Sequence, residues 1–233
     1  MLESIINTMP PLILASNSPR RKELLTLTGL PYIILPVQVD ETPIPEEEPK
    51  ACVLRLAKLK AEAAQQLADS LGFPTGQLIL AADTIVVNMN TIYGKPMDDQ
   101  DARRMLMELR GHTHAVMTAI SITAVRETKQ STVLCETEVP MRNYSEFEVD
   151  EYIKSGDPLD KAGGYAIQHD GFHPVESMEG CYASVMGLPL CHLVRELESF
   201  QVYLYEDIPV ACQAKLNYEC PVFSTILTRY NNS

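Results

Sequence analysis

The chain has 233 residues, 45% hydrophobic and 21% charged, the proportions of a globular protein large enough for one domain or two small lobes. It carries 31 acidic and 19 basic residues, a formal net charge of −12, which disfavours a nucleic-acid polymer as partner. No apolar run approaches the roughly 20 residues of a membrane helix, and the opening MLESIINTMPP lacks the basic and apolar regions of a secretory signal.

Six cysteines, Cys52, Cys135, Cys181, Cys191, Cys212 and Cys220, form no C-x-x-C pair, and no His-rich cluster completes a zinc pattern. Scattered thiols without a signal segment point to a reducing, cytoplasmic setting.

Leu12 to Ala15 reads as a short buried strand. Ser18 is a good N-cap, Pro19 suits the first helical position, and Gly29 marks a stop near Thr28. A strand running into a helix N-terminus offers free N–H groups and a positive dipole end to an anion. Arg20 and Arg21 fall in the first helical turn, where the dipole disfavours cations. Either an anionic ligand joins them, or they are solvated beside an acidic partner such as Glu23.

Pro31 to Val39 is a β-rich run ending at the acidic pair Asp40-Glu41, and PIPEEEP (Pro43 to Pro49) reads as a solvated loop. Lys50 to Leu71 predicts a long helix closed by Gly72, with Val53, Leu56, Ala57, Ala61, Ala64 and Leu67 as its apolar stripe. Lys60 lies on or beside that stripe. It either snorkels to water or needs an anionic partner.

Leu78 to Val87 (LILAADTIVV) is the clearest central strand, broken only by Asp83. A carboxylate there must be paired, protonated, metal-bound or satisfied by backbone N–H groups, and a functional role is the favoured reading. A turn at Asn88 to Asn90 leads through a short strand to Gly94-Lys95-Pro96, which lacks the glycine spacing of a Walker loop.

Asp98 to Arg110 predicts a helix stopped by Gly111, and His112 to Val125 and Ser131 to Met141 predict a strand pair. His112 and His114 alternate onto one face with no third ligand nearby, so they read as strand surface or satisfied core. Ser145 to Glu148 is a capping box, with Tyr144 and Val149 as its staple, on a helix ending at Gly156.

In the loop Asp157 to Gly171, Gly163-Gly164 would let backbone approach a ligand closely, after Asp160 and Lys161. Gln168 ends the apolar run Tyr165 to Ile167. Its amide would read a base edge from a strand end, or is an ordinary surface side chain. Pro189 opens a helix to about Phe200. Gln201 to Ser233 has no strong period and is expected as an extra strand or a partly disordered tail.

Taken together, SNSPRRKELL, VDE (Val39 to Glu41), RLAKLKA (Arg55 to Ala61), AADTIVV, GKP, DKAGGYAIQ and GLPL (Gly187 to Leu190) resemble the Maf-like nucleotide pyrophosphatases, in order and spacing across roughly residues 11 to 200. The resemblance implies a two-lobed α/β/α fold around an elongated mixed β-sheet with a central cleft, of the inosine triphosphatase-like kind. It sets a domain over residues 1–200 and leaves 201–233 as an extension of unassigned role.

The resemblance also implies hydrolysis of a nucleoside triphosphate to the monophosphate and pyrophosphate, with Mg²⁺ or Mn²⁺ held by Glu41 and Asp83. Asp83 would be the proton acceptor, acting with Glu41, Lys60 and Lys95. Ser16, Ser18, Arg20, Arg21, Thr84, Lys161 and Gln168 would bind substrate, and Arg20, Thr84 and Gln168 match positions linked to base choice. The Ile167-Gln168 ending looks like the branch acting on dTTP and UTP rather than 7-methyl-GTP. A nucleotide-binding regulator of cell division with little turnover is the alternative reading. No membrane partner is expected, and a homodimer is left open.

Overall fold

The computed structural model describes residues 10–228; the reading of the N-terminus over residues 1–9 and that of the last five residues lie outside them. The first elements follow their local signals. β1 (Leu12–Leu14) runs through a four-residue connection into α1 (Pro19–Thr26). The Ser18 hydroxyl accepts the Arg21 N–H at 3.4 Å, capping a helix that opens on Pro19. β2 (Tyr32–Ile34) is much shorter than the run Pro31 to Val39, because Pro31 and Pro36 bracket it and proline cannot donate to a ladder.

The long helix α2 (Pro49–Ser70) is followed by β3 (Leu78–Asn88) and β4 (Thr91–Tyr93). β3 and β4 are joined at Met89 and Asn90, both with positive φ, as a two-residue hairpin requires. Next come α3 (Asp99–Leu109), β5 (Thr113–Ala124), β6 (Gln130–Pro140) and α4 (Glu146–Lys154). Both halves of the Ser145/Glu148 capping box are formed, and Tyr144 and Val149 are buried in one cluster. Two 3₁₀ turns (Asp157–Asp160 and Ala162–Gly164) precede α5 (Tyr182–Val185) and α6 (Leu190–Ser199).

The tail corrects its expectation. Over its described residues, 201–228, it forms no strand and carries two helices, α7 (Ile208–Leu216) and α8 (Phe223–Thr228), with Asp207 accepting the Val210 N–H as N-cap. Val202 and Ile208 are buried in the same cluster as Leu12 and Leu14.

The sheet has six strands in the order β2-β1-β3-β5-β6, with β4 also on β3. β2, β1 and β3 are parallel; the remaining pairs are antiparallel. β1 reaches only half of β3. It pairs at Ile13↔Ile79 and Leu14↔Leu80, and the Ala15 N–H makes its last bond to the Leu80 carbonyl at 2.8 Å. β4 joins the same edge from Val86 to Asn88. Between them, Ala81 to Ile85 face a gap where β1 has ended, and the carboxyl end of parallel strands is where open α/β sheets bind ligands.

Period-2 alternation sorts β3 onto two faces. Ile79, Ala81, Ile85 and Val87 pack under α2 with Ala57, Ala61 and Ala64. Leu78, Leu80, Ala82 and Val86 face the opposite layer, among residues of α1 and α6 at one end and α3 and α4 at the other. Ala68, not Leu67, closes the buried stripe of α2, and Leu67 is half-buried. Asp83 and Thr84 fall where these cores meet, one on each face. The strand thus carries its only charge to the seam between the two lobes.

Candidate active site

The gap beside Ala81 to Ile85 opens into a cleft of about 660 Å³, within the usual range for small-molecule sites. Ser16, Ser18, Arg20, Arg21, Glu41, Lys60, Asp83, Thr84, Lys95, Lys161 and Gln168 all line it. Eleven residues drawn from Ser16 to Gln168 therefore meet in one place.

The centre is an ammonium between two carboxylates. Lys60 Nζ donates to Asp83 Oδ1 at 2.5 Å and pairs with Glu41 Oε1 at 2.7 Å. Lys60 and Asp83 are nearly buried, with side chains 12% and 7% exposed, while Glu41 is 53% exposed. The alternatives for Lys60 resolve in favour of an anionic partner, supplied by β3. Burial pushes the Glu41 carboxyl up, but the Lys60 hydrogen bond and charge, with the charges of Lys95 and Arg21, more than offset this and leave it below the usual carboxylate range.

Arg21 is fixed by its guanidinium fork. Nε donates to the Gly187 carbonyl at 2.9 Å, Nη2 to Thr84 Oγ1 at 3.1 Å and Nη1 to Ser16 Oγ at 3.4 Å. Thr84 Oγ1 meets Thr118 Oγ1 at 2.9 Å, and Thr118 donates to the Ser184 carbonyl. These acceptors are all neutral. Among the described residues, neither Arg21 nor Lys95 has a carboxylate within salt-bridge distance, whereas Arg20 sits 3.6 Å from Asp160. In a chain of net charge −12, cations facing a cleft without acidic partners make it locally receptive to an anion.

Lys161 also lines the cleft, but its charge is already engaged. Nζ donates to Asp160 Oδ1 at 2.5 Å, to the Asp157 carbonyl at 2.6 Å and to Asp157 Oδ1 at 2.9 Å.

Two expectations for the neighbouring loop need correction. Gly163 and Gly164, both at positive φ, approach protein rather than ligand. A Cβ on Gly163 would stand 2.9 Å from the Val86 side chain, and one on Gly164 would stand 3.3 Å from Pro96. With the Gly163 N–H on the Gly94 carbonyl, they seat the loop on β3 and the Gly94-Lys95-Pro96 corner. Gln168 is in a turn, not at a strand end, and is exposed at the cleft.

The acidic run after Glu41 is not merely solvated. Glu47 takes a bidentate pair from Arg55 of α2, at 2.6 Å for both bonds, and Arg55 also donates to the Thr42 carbonyl. The Arg55 hydrogen bond holds the Glu47 carboxyl down to about 2. This clamp fastens the loop that carries Glu41 onto the helix that carries Lys60. Sequence reasoning missed it, although Arg55 lies inside the RLAKLKA motif. The separation of Glu47 and Arg55 by a proline and a helix start hid the pair.

His114 is satisfied core on one side only. Nε2 lies 2.7 Å from the Tyr165 hydroxyl, Nδ1 is buried without a partner, and burial lowers its pKa to about 4. His112 is exposed.

Fold and site together define an α/β protein whose interlobe cleft joins two carboxylates to a set of cations, suited to a phosphate-bearing ligand. The chain belongs to the Maf family: the family model "Maf-like protein" matches residues 11–200. It is 44% identical over 179 residues to the dTTP/UTP pyrophosphatase of Pseudoalteromonas atlantica, covering 77% of this chain and 91% of that one. Against the dTTP/UTP pyrophosphatase of Agathobacter rectalis it is 41% identical over 205 residues, covering 83% and 99%. Against that of Bacillus cereus it is 42% identical over 194 residues, covering 83% and 97%. A solved structure, the Staphylococcus aureus Ham1 protein, aligns at TM-score 0.43 and 14% identity over 89% of this chain and 98% of that one, a distant likeness.

Proposed function

We propose that this chain is a metal-dependent nucleoside triphosphate pyrophosphatase that hydrolyses dTTP and UTP to the monophosphate and pyrophosphate. The observation that carries the reading is the Glu41–Lys60–Asp83 cluster set beside Arg21 and Lys95, two cations without acidic partners, in a cleft of nucleotide size. The names of the relatives support the same activity and the same bases.

Glu41 and Asp83 would hold Mg²⁺ or Mn²⁺. Their oxygens suit a hard cation, and sharing Lys60 keeps them within reach of one another. Mg²⁺ is commonly held by one or two carboxylates plus substrate phosphates, the donor set that Glu41 and Asp83 would offer with a bound nucleotide. When bound, the ion supplies charge neutralisation on the phosphates.

The chain's own residues account for the rest. Asp83 accepts the proton of a water attacking the α-phosphorus. Lys60, hydrogen-bonded to Asp83, holds that carboxylate in place and lends its charge to the phosphates. Arg20, Arg21 and Lys95 stabilise the charge developing on the departing pyrophosphate, since phosphoryl transfer depends chiefly on positioning and electrostatics. Ser16 and Ser18 add hydroxyl and N–H donors at the start of α1. Lys161 fixes the Asp157–Asp160 turn that meets Arg20. Gln168 reads the pyrimidine edge, with Arg20 and Thr84 shaping the choice of base.

The working domain is taken as residues 1–200, with 201–233 as an extension. No described helix is long and apolar enough to cross a membrane, and the free thiols suit a reducing cytoplasm.

The test is pyrophosphate release by Asp83→Asn and Gln168→Ala. Asp83→Asn is expected to lower kcat by about 10²–10⁴ with the fold retained, and near-normal turnover removes Asp83 from the mechanism. Gln168→Ala is expected to level the ranking of dTTP, UTP and GTP, and an unchanged ranking removes its role.

A further inference from the structure

Thr118 stands behind the wall of the cleft. It lies on β5 as the cross-strand partner of Thr84, is fully buried and borders no part of the cleft. Its neighbours on the same face of the strand, Val116 and Ile120, are buried and apolar. A valine would fill the place of Thr118 at nearly the same volume. A hydroxyl there has to be satisfied, and it takes its partners from the site.

The direction of each bond follows from what each group can donate. The Ser184 carbonyl can only accept, so the single Thr118 proton is committed to it, at 2.8 Å. Toward Thr84 Oγ1, 2.9 Å away, Thr118 then offers only lone pairs, and Thr84 must be the donor. With its proton turned onto Thr118, Thr84 presents a lone pair to Arg21 Nη2 at 3.1 Å, a group that can only donate. The circuit closes through the backbone. The Gly187 N–H donates to the same Ser184 carbonyl at 2.9 Å, and the Gly187 carbonyl accepts Arg21 Nε at 2.9 Å. The turn fits tightly: a Cβ on Gly187, at φ 107, would stand 3.3 Å from both Arg21 Nε and Thr84 Oγ1. A purely structural task for Thr118 would be to satisfy the Ser184 carbonyl, but the Gly187 N–H already does so. What Thr118 supplies beyond that is the acceptor that orients the Thr84 proton.

We propose that Thr118 is a positioning residue for Arg21. By accepting the Thr84 proton it turns a Thr84 lone pair onto the guanidinium and so aims the fork at a phosphate group in the cleft. The inference rests on the reading of Arg21 as a phosphate-binding cation. Linked hydrogen bonds polarise one another, so fixing the Thr118 end strengthens the bond at the arginine end. Without the Thr118 oxygen the Thr84 hydroxyl loses its acceptor and rotates. Nη2 then loses its partner, and the guanidinium is left with Gly187 and Ser16.

The test is KM and kcat for dTTP with Mg²⁺ in the wild type, Thr118→Val, Thr118→Ser, Arg21→Lys, and Arg21→Lys combined with Thr118→Val. Thr118→Val is expected to raise KM about three- to tenfold, the size expected for one hydrogen bond, with kcat changed less. Thr118→Ser restores the hydroxyl and should restore KM. In the Arg21→Lys background, Thr118→Val should add less than about twofold, because the residue it acts through is gone. An unchanged KM in Thr118→Val, a KM left high in Thr118→Ser, or the same fold-change in both backgrounds overturns the proposal. The dissociation constant of inorganic tripolyphosphate, measured by calorimetry on the same proteins, separates this role from the proposed activity. Coupled losses there without dTTP turnover would sink the activity and uphold the positioning role, whereas turnover with additive losses would do the reverse. Should Thr118→Val fail to fold, the wild type still decides. The Arg21 Nε–H resonance, assigned by its absence in Arg21→Lys, is expected to exchange slowly with water, and fast exchange overturns the proposal.

Discussion

Removing the ammonium between Glu41 and Asp83 should cost more than removing either carboxylate. In Lys60→Met the stem is replaced at similar volume, and Asp83, 7% exposed, is left beside Glu41 with no cation in contact. Stranding a buried charge in this way costs about 3–5 kcal/mol. Glu41, 53% exposed, adds little because water takes over its solvation. Asp83→Asn leaves Lys60 its Glu41 partner and an amide oxygen to donate to, so about 1–2 kcal/mol is expected. The double variant buries neither charge, and its loss should fall short of the sum of the single losses by about 2 kcal/mol. Urea unfolding of the wild type, both single variants and the double variant closes the cycle. Additivity within about 0.5 kcal/mol, or a Lys60→Met loss no larger than that of Asp83→Asn, would refute the reasoning.

Other expectations follow from the same geometry. Arg21→Lys keeps the charge but cannot reach Gly187, Ser16 and Thr84 together, so KM for the triphosphate should rise roughly tenfold or more; an unchanged KM would show that the fork is dispensable. Glu47→Gln should loosen the Glu41 loop by breaking the Arg55 clamp, with KM for the metal–nucleotide rising more than kcat falls, and a variant indistinguishable from wild type would assign the clamp no role. His114, lowered by burial to about 4 in the folded chain, binds its proton first in the unfolded chain. Its stabilising effect is therefore complete above about pH 6.5 and is lost as pH falls toward 4, on the order of 3 kcal/mol. His114→Phe should flatten the pH dependence of unfolding in that window, and parallel curves for the two proteins would contradict the assignment.

Much of this arrangement was legible because its signals are local. The period of α2 placed Lys60 at the edge of a buried face, and Asp83 stood out as the only charge in an apolar strand. The Ser145 box and the Ser18 cap marked their helices to within a residue or two. What sequence could not show depends on contacts between distant segments. The strand length of β2 was set by flanking prolines and by where β1 stops. The glycines of the Asp157 to Gly171 loop were conspicuous, but only the packing of Val86 and Pro96 shows what approaches them. Glu47 reads as one more surface acid until Arg55 is found opposite it. The tail itself lacked periodicity because its helices are short: α7 spans nine residues and is half-exposed.

The central claim is that this cleft directs water to the α-phosphorus of a nucleoside triphosphate. Turnover of dTTP and UTP in ¹⁸O-labelled water with Mg²⁺ or Mn²⁺, followed by mass analysis of the products, tests it most directly. The account predicts monophosphate and pyrophosphate in equal amounts, with the label in the monophosphate. Release of orthophosphate, or label confined to pyrophosphate, would contradict it.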